Sequence, residues 1–120
     1  MTRREQTGTR DLTFNTWLRD ALPDSSTGQM VSDIDFYIFN YKKKEHLIVE
    51  TKTYNAPLKT WQEIMYSKLQ RWVSEGGNKE GWKFKGFYLI QFEKTFFDDG
   101  KVYLNGEESS KEEIIETLSL

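Results

Sequence analysis

The chain has 120 residues, of which 15% are aromatic and 30% are charged, and its formal net charge is -2. This length and aromatic content predict one folded domain over residues 1–120 and exclude a disordered chain. The absence of cysteine excludes disulfides and thiolate metal sites. No apolar run reaches the length of a bilayer, and the N-terminal segment lacks the apolar core of a secretion signal. We therefore expect a cytoplasmic protein with no membrane partner.

The charges are unevenly distributed along the chain. Acidic residues are concentrated between Asp98 and Leu120, which leaves residues 1–97 with an excess of basic side chains. The overall acidic balance counts against a protein that simply coats nucleic acid. The acidic balance is compatible with a basic binding surface formed by residues 1–97. It is equally compatible with an ordinary solvated surface there.

The first predicted element is an amphipathic helix from about Arg10 to Leu22, because its apolar residues recur at helical spacing. Pro23 ends this helix, since proline cannot continue the hydrogen-bond ladder. A polar loop follows at Asp24–Gln29.

A β-hairpin is predicted next. Asp33–Tyr41 is rich in aromatic and β-branched residues and is expected to form its first strand. Lys42–Lys44 and Glu45 supply a charged turn, and His46–Tyr54 is the returning strand.

The rest of the chain predicts two helices and two strands. A helix from about Leu58 to Ser74 is expected to end at Gly76-Gly77. The apolar run Phe87–Phe92 is typical of a central strand that is buried on both faces. Lys101–Leu104 is a short further strand, and Ser109–Leu118 is a capped terminal helix. The order predicts an α/β fold in which helices flank a mixed sheet.

The chemistry of the chain is concentrated on the charged face of the hairpin. Alternation places Asp33 and Asp35 on one face of the first strand, and Glu50 and Lys52 on one face of the second. Buried carboxylates are costly unless they are paired or bound to a metal. A divalent cation such as Mg²⁺ would relieve the repulsion between converging carboxylates. Asp35 is the preferred ligand of the first strand, with Asp33 in reserve.

Asp35, a hairpin turn and then Glu50-Thr51-Lys52 at the end of an apolar strand resemble the core motif of the PD-(D/E)XK nucleases. The resemblance implies a restriction-endonuclease-like core with α-β-β-α-β order. It also implies hydrolysis of DNA phosphodiesters with Mg²⁺ or Mn²⁺, held by Asp35, Glu50 and the Thr51 carbonyl. Lys52 would orient the attacking water or stabilise the transition state. No proline precedes either aspartate, so the "PD" of the family name is absent.

A second element resembles the QxxxY motif of RecB-like members. Gln62 and Tyr66 fall inside or at the edge of the apolar face of the helix that follows the hairpin. The resemblance implies that Gln62 orients Lys52 or the water and that Tyr66 supports Gln62. The alternative is a core glutamine bound to a backbone group. RecB-like members often carry an upstream histidine, whereas His46 lies at the other end of this hairpin.

Further candidates come from a similarity to the Holliday-junction resolvases. Asp11, near the start of the first helix, matches a further metal ligand of that group, although a helix cap explains it equally well. Ser25 and Ser26 lie where such members place a polar loop near DNA, and an ordinary connecting loop is the alternative. Independently of this similarity, Lys59 and Lys68 belong to a set of basic residues that are candidate phosphate contacts. We expect the tryptophans of the central region to lie in the core or an interface rather than to stack on bases; they are Trp61, Trp72 and Trp82.

The expected partner is therefore DNA, branched or linear, and the expected assembly is a homodimer or a subunit of a larger complex. Junction resolution stands beside nicking, restriction and end-processing as the pathway. A non-catalytic module that keeps the nuclease fold to bind DNA or protein is the main alternative. A structural protein of a phage or mobile element, with the charged hairpin face at a subunit interface, is a third.

Overall fold

The computed structural model describes residues 13–120, and they fall into two compact units that divide between Asp33 and Ile34. The candidate ligand Asp11 and the predicted start of the first helix at Arg10 lie outside the described residues. Of the helices that the structure describes, none combines the length and apolar character that crossing a bilayer requires.

The described part of the first unit contains one helix, α1 (Thr13–Ala21), which ends one residue earlier than predicted. A turn of 3-10 helix follows at Ser25–Thr27 and was not predicted. It begins after Asp24, whose side chain accepts a hydrogen bond of 3.0 Å from the backbone N–H of Ser26. Such capping satisfies a backbone donor that the short helix leaves unpaired.

The second unit is built on a mixed sheet of five strands in the order β1-β2-β3-β4-β5. β2 is parallel to β3, and the other neighbouring pairs are antiparallel. The prediction of a mixed α/β fold is confirmed at this level. The strands are β1 (Phe36–Asn40), β2 (Glu45–Lys52), β3 (Lys83–Phe92), β4 (Val102–Leu104) and β5 (Glu107–Glu108).

Two helices cover opposite faces of β2. Residues Leu47 and Val49 point to one face, where they pack in the core with Ile114 of α3 (Lys111–Leu118). Alternation sends Glu50 to the other face. There α2 (Thr60–Lys79), the crossover between the parallel strands, lies over it. The side chains beneath α2 are therefore separated from the main apolar core by the sheet itself.

The predicted start of the first strand was wrong by three residues. β1 begins at Phe36, so Asp33 and Asp35 both precede it. Asp35 uses its carboxylate to bind the neighbouring strand, and Asp33 is exposed and pairs with Arg19 at 3.2 Å. Short acidic side chains compete with the backbone for hydrogen bonds, which disfavours a regular strand at these positions. β3 likewise begins at Lys83 rather than at the predicted Phe87. The prediction missed its first residues because lysines and a glycine interrupt the apolar pattern there.

The predicted end of the central helix was also wrong. α2 continues through Gly76 and Gly77 to Lys79. A Cβ added at Gly77 would lie 3.0 Å from Nε2 of His46, whereas Gly76 has no atom within 4 Å of that position. Gly77 therefore permits the helix to approach β2 closely, and this packing outweighs the cost of glycine in a helix, about 1 kcal/mol relative to alanine.

Candidate active site

Asp35 lies directly beside the β2 strand that carries Glu50, Thr51 and Lys52. Its Oδ2 accepts two hydrogen bonds of 2.8 Å, one from the backbone N–H and one from the hydroxyl of Thr51. The β1–β2 register pairs Phe36 with Val49, which places Asp35 opposite Glu50. Both bonds fall on one oxygen, so Oδ1 keeps its lone pairs for another partner.

Glu50 is a buried carboxyl group, with 5% of its surface exposed. Its Oε2 accepts a hydrogen bond of 3.1 Å from the hydroxyl of Tyr66 in α2. The pKa of Glu50 is raised from its ordinary value of 4.5 to about 7, mainly by burial and then by the charge of Asp35 and a hydrogen bond between the two carboxyl groups. The Tyr66 hydrogen bond and the charge of Lys52 oppose this shift of the pKa. Glu50 therefore keeps its proton up to near-neutral pH, beside the carboxyl group of Asp35.

Lys52 lies two residues beyond Glu50 on the same face of β2. It is partly buried, and it forms no ion pair with the carboxylates of residues 13–120. Its strand partner is Gln91, whose amide donates to the carbonyls of Asn55 and Ala56 and so fixes the loop after β2. The ammonium group is thus near Glu50 without being neutralised by it.

Gln62 and Tyr66 are the buried residues of α2, in line with the expected facing of both towards the sheet. Gln62 Oε1 accepts a hydrogen bond of 3.0 Å from the backbone N–H of Lys59 at the start of the helix. This contact matches the alternative of a glutamine bound to a backbone group. Trp72, which was expected to lie in the core or an interface, is 51% exposed and is therefore not a core residue of this unit.

The remaining sequence candidates are exposed. Asp33, the reserve ligand, pairs with Arg19 at 3.2 Å. The hydroxyl of Ser26 donates to the Asp24 carboxylate. These exposed residues are Asp33, Ser25, Ser26, Lys59 and Lys68.

The donor set fits a hard divalent cation at two carboxylates. Residues 13–120 contain no group of three or more His, Asp or Glu side chains placed to hold a metal ion. Mg²⁺ commonly takes only one or two carboxylates and completes its shell with water and phosphate oxygens. Asp35 and Glu50 each have one carboxyl oxygen that Thr51 or Tyr66 does not bind. A cation bound to these oxygens would take the place of the proton on Glu50.

Comparison with protein-family models, curated proteins and solved structures gives no match for this chain. A function must therefore be argued from the side chains and their geometry.

Proposed function

We propose that this chain is a metal-dependent nuclease that hydrolyses phosphodiester bonds of DNA. The observation that carries the proposal is the buried carboxyl of Glu50, held against Asp35 with Lys52 on the same face of β2. An acid pair in a dry site costs stability unless it serves a ligand. A cation bound by Asp35 and Glu50 would compensate the charges of the two carboxylates. A phosphate bound at Lys52 would compensate the charge of the ammonium group.

Asp35, Glu50 and the carbonyl of Thr51 would hold Mg²⁺ or Mn²⁺. When bound, the metal lowers the pKa of a coordinated water and neutralises charge on the phosphate. Thr51 fixes Asp35 through two hydrogen bonds, and Tyr66 fixes Glu50 through one. Preorganised ligands reduce the reorganisation that the reaction requires.

Lys52 is proposed to hold a phosphate oxygen or to orient the attacking water. Its ammonium group is free of ion pairs with the described carboxylates, so a phosphate need not displace one. Gln62 is proposed as a positioning residue, because it fixes the first turn of the helix that carries Tyr66. By resemblance, the products would carry a 5′-phosphate.

A homodimer or a subunit of a larger complex is the proposed assembly, and branched DNA is one proposed substrate. Two copies side by side would make paired cuts in a junction. The alternative function is a non-catalytic module that keeps this fold to bind DNA or protein.

The test is cleavage of a four-way junction, a flap, linear duplex and single-stranded DNA with Mg²⁺, Mn²⁺ or chelator. We expect metal-dependent cleavage by the wild type and none by Glu50→Ala. Glu75→Ala removes an exposed glutamate of α2 and serves as the matched control. If the wild type cuts no substrate and calorimetry detects no Glu50-dependent metal binding, the nuclease proposal fails and the non-catalytic module replaces it.

A further inference from the structure

A cavity lies beside the C-terminal half of α2. It has a volume of about 480 Å³, within the range of pockets that hold small ligands, about 300–1,000 Å³. Five rings line it, and we call it the aromatic pocket: Tyr37, Phe39, His46, Trp72 and Trp82. All of them belong to the second unit.

The rings of the aromatic pocket offer open stacking surfaces. Tyr37, Phe39 and Trp72 are each more than half exposed. His46 is buried at the floor, where the hydroxyl of Tyr37 lies 2.7 Å from its Nδ1 and the ring of Trp82 meets it edge-on. Burial lowers the pKa of His46, so the floor is a neutral aromatic ring at physiological pH.

The edge of the aromatic pocket is basic. Trp82 is followed by Lys83, whose backbone N–H donates to the carbonyl of Lys44 at 2.8 Å. The turn Lys42–Lys44 therefore lies at the same end of the sheet as the pocket. These four lysines are exposed and form no ion pair with the carboxylates of residues 13–120, and the acid that lines the pocket is Glu80. The local balance of charge is positive.

Aromatic faces beside unpaired lysines form the combination that binds unpaired nucleic acid. Bases stack on the rings independently of sequence, while lysines hold the phosphates. A duplex hides its base faces and gains only the phosphate contacts. From this chemistry we propose that the aromatic pocket binds an unpaired base of single-stranded DNA, with its backbone along Lys42–Lys44 and Lys83.

The aromatic pocket lies on the same face of β2 as the candidate active site. His46 and Glu50 share a face of β2, four residues apart, which is about 13 Å along a strand. About four stacked nucleotides span this distance. The choice of DNA rests on the proposed nuclease function, and the inference narrows that function to substrates with an unpaired strand.

The test is fluorescence anisotropy with a labelled single-stranded oligonucleotide of about 12 nucleotides and the matching blunt duplex. Excess chelator prevents cleavage during the measurement. We expect Trp72→Ala to weaken single-strand binding by about tenfold or more, the loss of one stacked base. Trp72→Phe should restore most of the affinity. Phe96→Ala removes an exposed ring outside the pocket and should change nothing.

A second variant keeps the test decisive if Trp72→Ala unfolds. Phe39→Ala also removes a half-exposed ring of the pocket and should weaken single-strand binding, while duplex binding stays unchanged. Lys83→Ala should weaken the binding of both the single strand and the duplex, and it should reduce the salt dependence of that binding. The inference is overturned if the wild type binds no single strand at low salt, or if folded ring variants bind it as tightly as the wild type. It is also overturned if the ring variants lose affinity for the single strand and for the duplex equally.

The outcomes for the two proposals can be told apart. Pocket-dependent binding without metal-dependent cleavage would refute the nuclease and leave the single-strand site. Glu50-dependent cleavage with no effect of Trp72→Ala or Phe39→Ala on binding would refute the site and leave the nuclease.

Discussion

The hydroxyl of Tyr66 donates a hydrogen bond of 3.1 Å to the carboxylate of Glu50, which joins the middle of α2 to the strand beneath it. Glu50 is 5% exposed and Tyr66 is 4% exposed, so this bond lies in a nearly dry environment. Hydrogen bonds to ionised acceptors are stronger than neutral ones. The strength of this bond therefore depends on whether Glu50 is charged.

The metal-free protein is expected to lose stability as pH rises through neutrality. The pKa of Glu50 in the folded state is raised from 4.5 to about 7, first by burial and then by Asp35. Because the folded state holds this proton more tightly than the unfolded chain, the stabilising contribution is complete below pH 4.5 and disappears as pH passes 7. Urea unfolding in the presence of chelator, repeated across this pH range, measures the loss of unfolding free energy. Glu50→Gln cannot ionise and should lack this part of the profile; identical profiles would contradict the prediction.

Removing the Tyr66 hydroxyl should have an effect that depends on pH. This hydroxyl lowers the pKa of Glu50, so Tyr66→Phe is expected to raise that pKa further. The loss of stability should reach about 1.5–3 kcal/mol above pH 7, where Glu50 is charged, and be smaller at pH 5. Tyr88→Phe is the matched control, because the Tyr88 hydroxyl binds a backbone carbonyl that does not titrate. Equal losses at both pH values for Tyr66→Phe would refute the argument.

Thr51 should contribute to the site through its hydroxyl as well as its backbone. Thr51→Val keeps the shape and the N–H bond to Asp35 but removes the hydroxyl bond of 2.8 Å. We expect a loss of about 1 kcal/mol in unfolding free energy and slower metal-dependent cleavage. Thr51→Ser should preserve both properties. Thr53→Val, at an exposed position just after β2, controls for the loss of a hydroxyl, and an equal effect there would remove Thr51 from the proposed site.

Gln62→Met is expected to act through the helix start. It removes the acceptor for the N–H of Lys59, which should cost about 1 kcal/mol, as the loss of a cap does. Thermal unfolding measures this cost, and cleavage is then compared at a temperature where both proteins are folded. A positioning role predicts a moderate decrease in kcat with KM unchanged. A complete loss of cleavage in the folded variant would instead place the Gln62 amide in contact with the reacting groups.

The two neighbouring glycines of α2 should respond oppositely to alanine. Gly76→Ala meets no atom within 4 Å, so it should stabilise the helix by about 0.5–1 kcal/mol. Gly77→Ala places a Cβ 3.0 Å from His46 Nε2 and should cost about 1–3 kcal/mol through overpacking. Chemical denaturation of the two variants compares them directly. Stabilisation by both would show that His46 moves aside.

The sequence predicted the hairpin, the crossover helix and the mixed sheet because each has a strong local pattern. The pairing of Asp35 with the end of β2 followed from the register of a hairpin, which is local. The extent of α2 could not be read from Gly76-Gly77, since the packing of Gly77 on His46 joins residues far apart in sequence. Tertiary packing overrides helix propensity at such positions.

The aromatic pocket was not predicted for a related reason. Its rings come from β1, β2, α2 and the residue before β3. Their separate patterns indicate core positions, and only the arrangement of the fold leaves several of them open. His46 gave no signal beyond its place in an apolar strand.

The hairpin of β1 and β2 is a local structure, whereas α2 is retained over it by side-chain contacts and by the later pairing of β3. An opening in which α2 lifts away while the hairpin stays paired would hydrate Glu50 and return its pKa towards the ordinary value. Such partial unfolding governs amide hydrogen exchange in native proteins. Above neutral pH, the hydration of a charged Glu50 favours this opening most. The backbone amides of α2 should therefore exchange faster than those of the hairpin, and a bound cation should slow the exchange of the α2 amides.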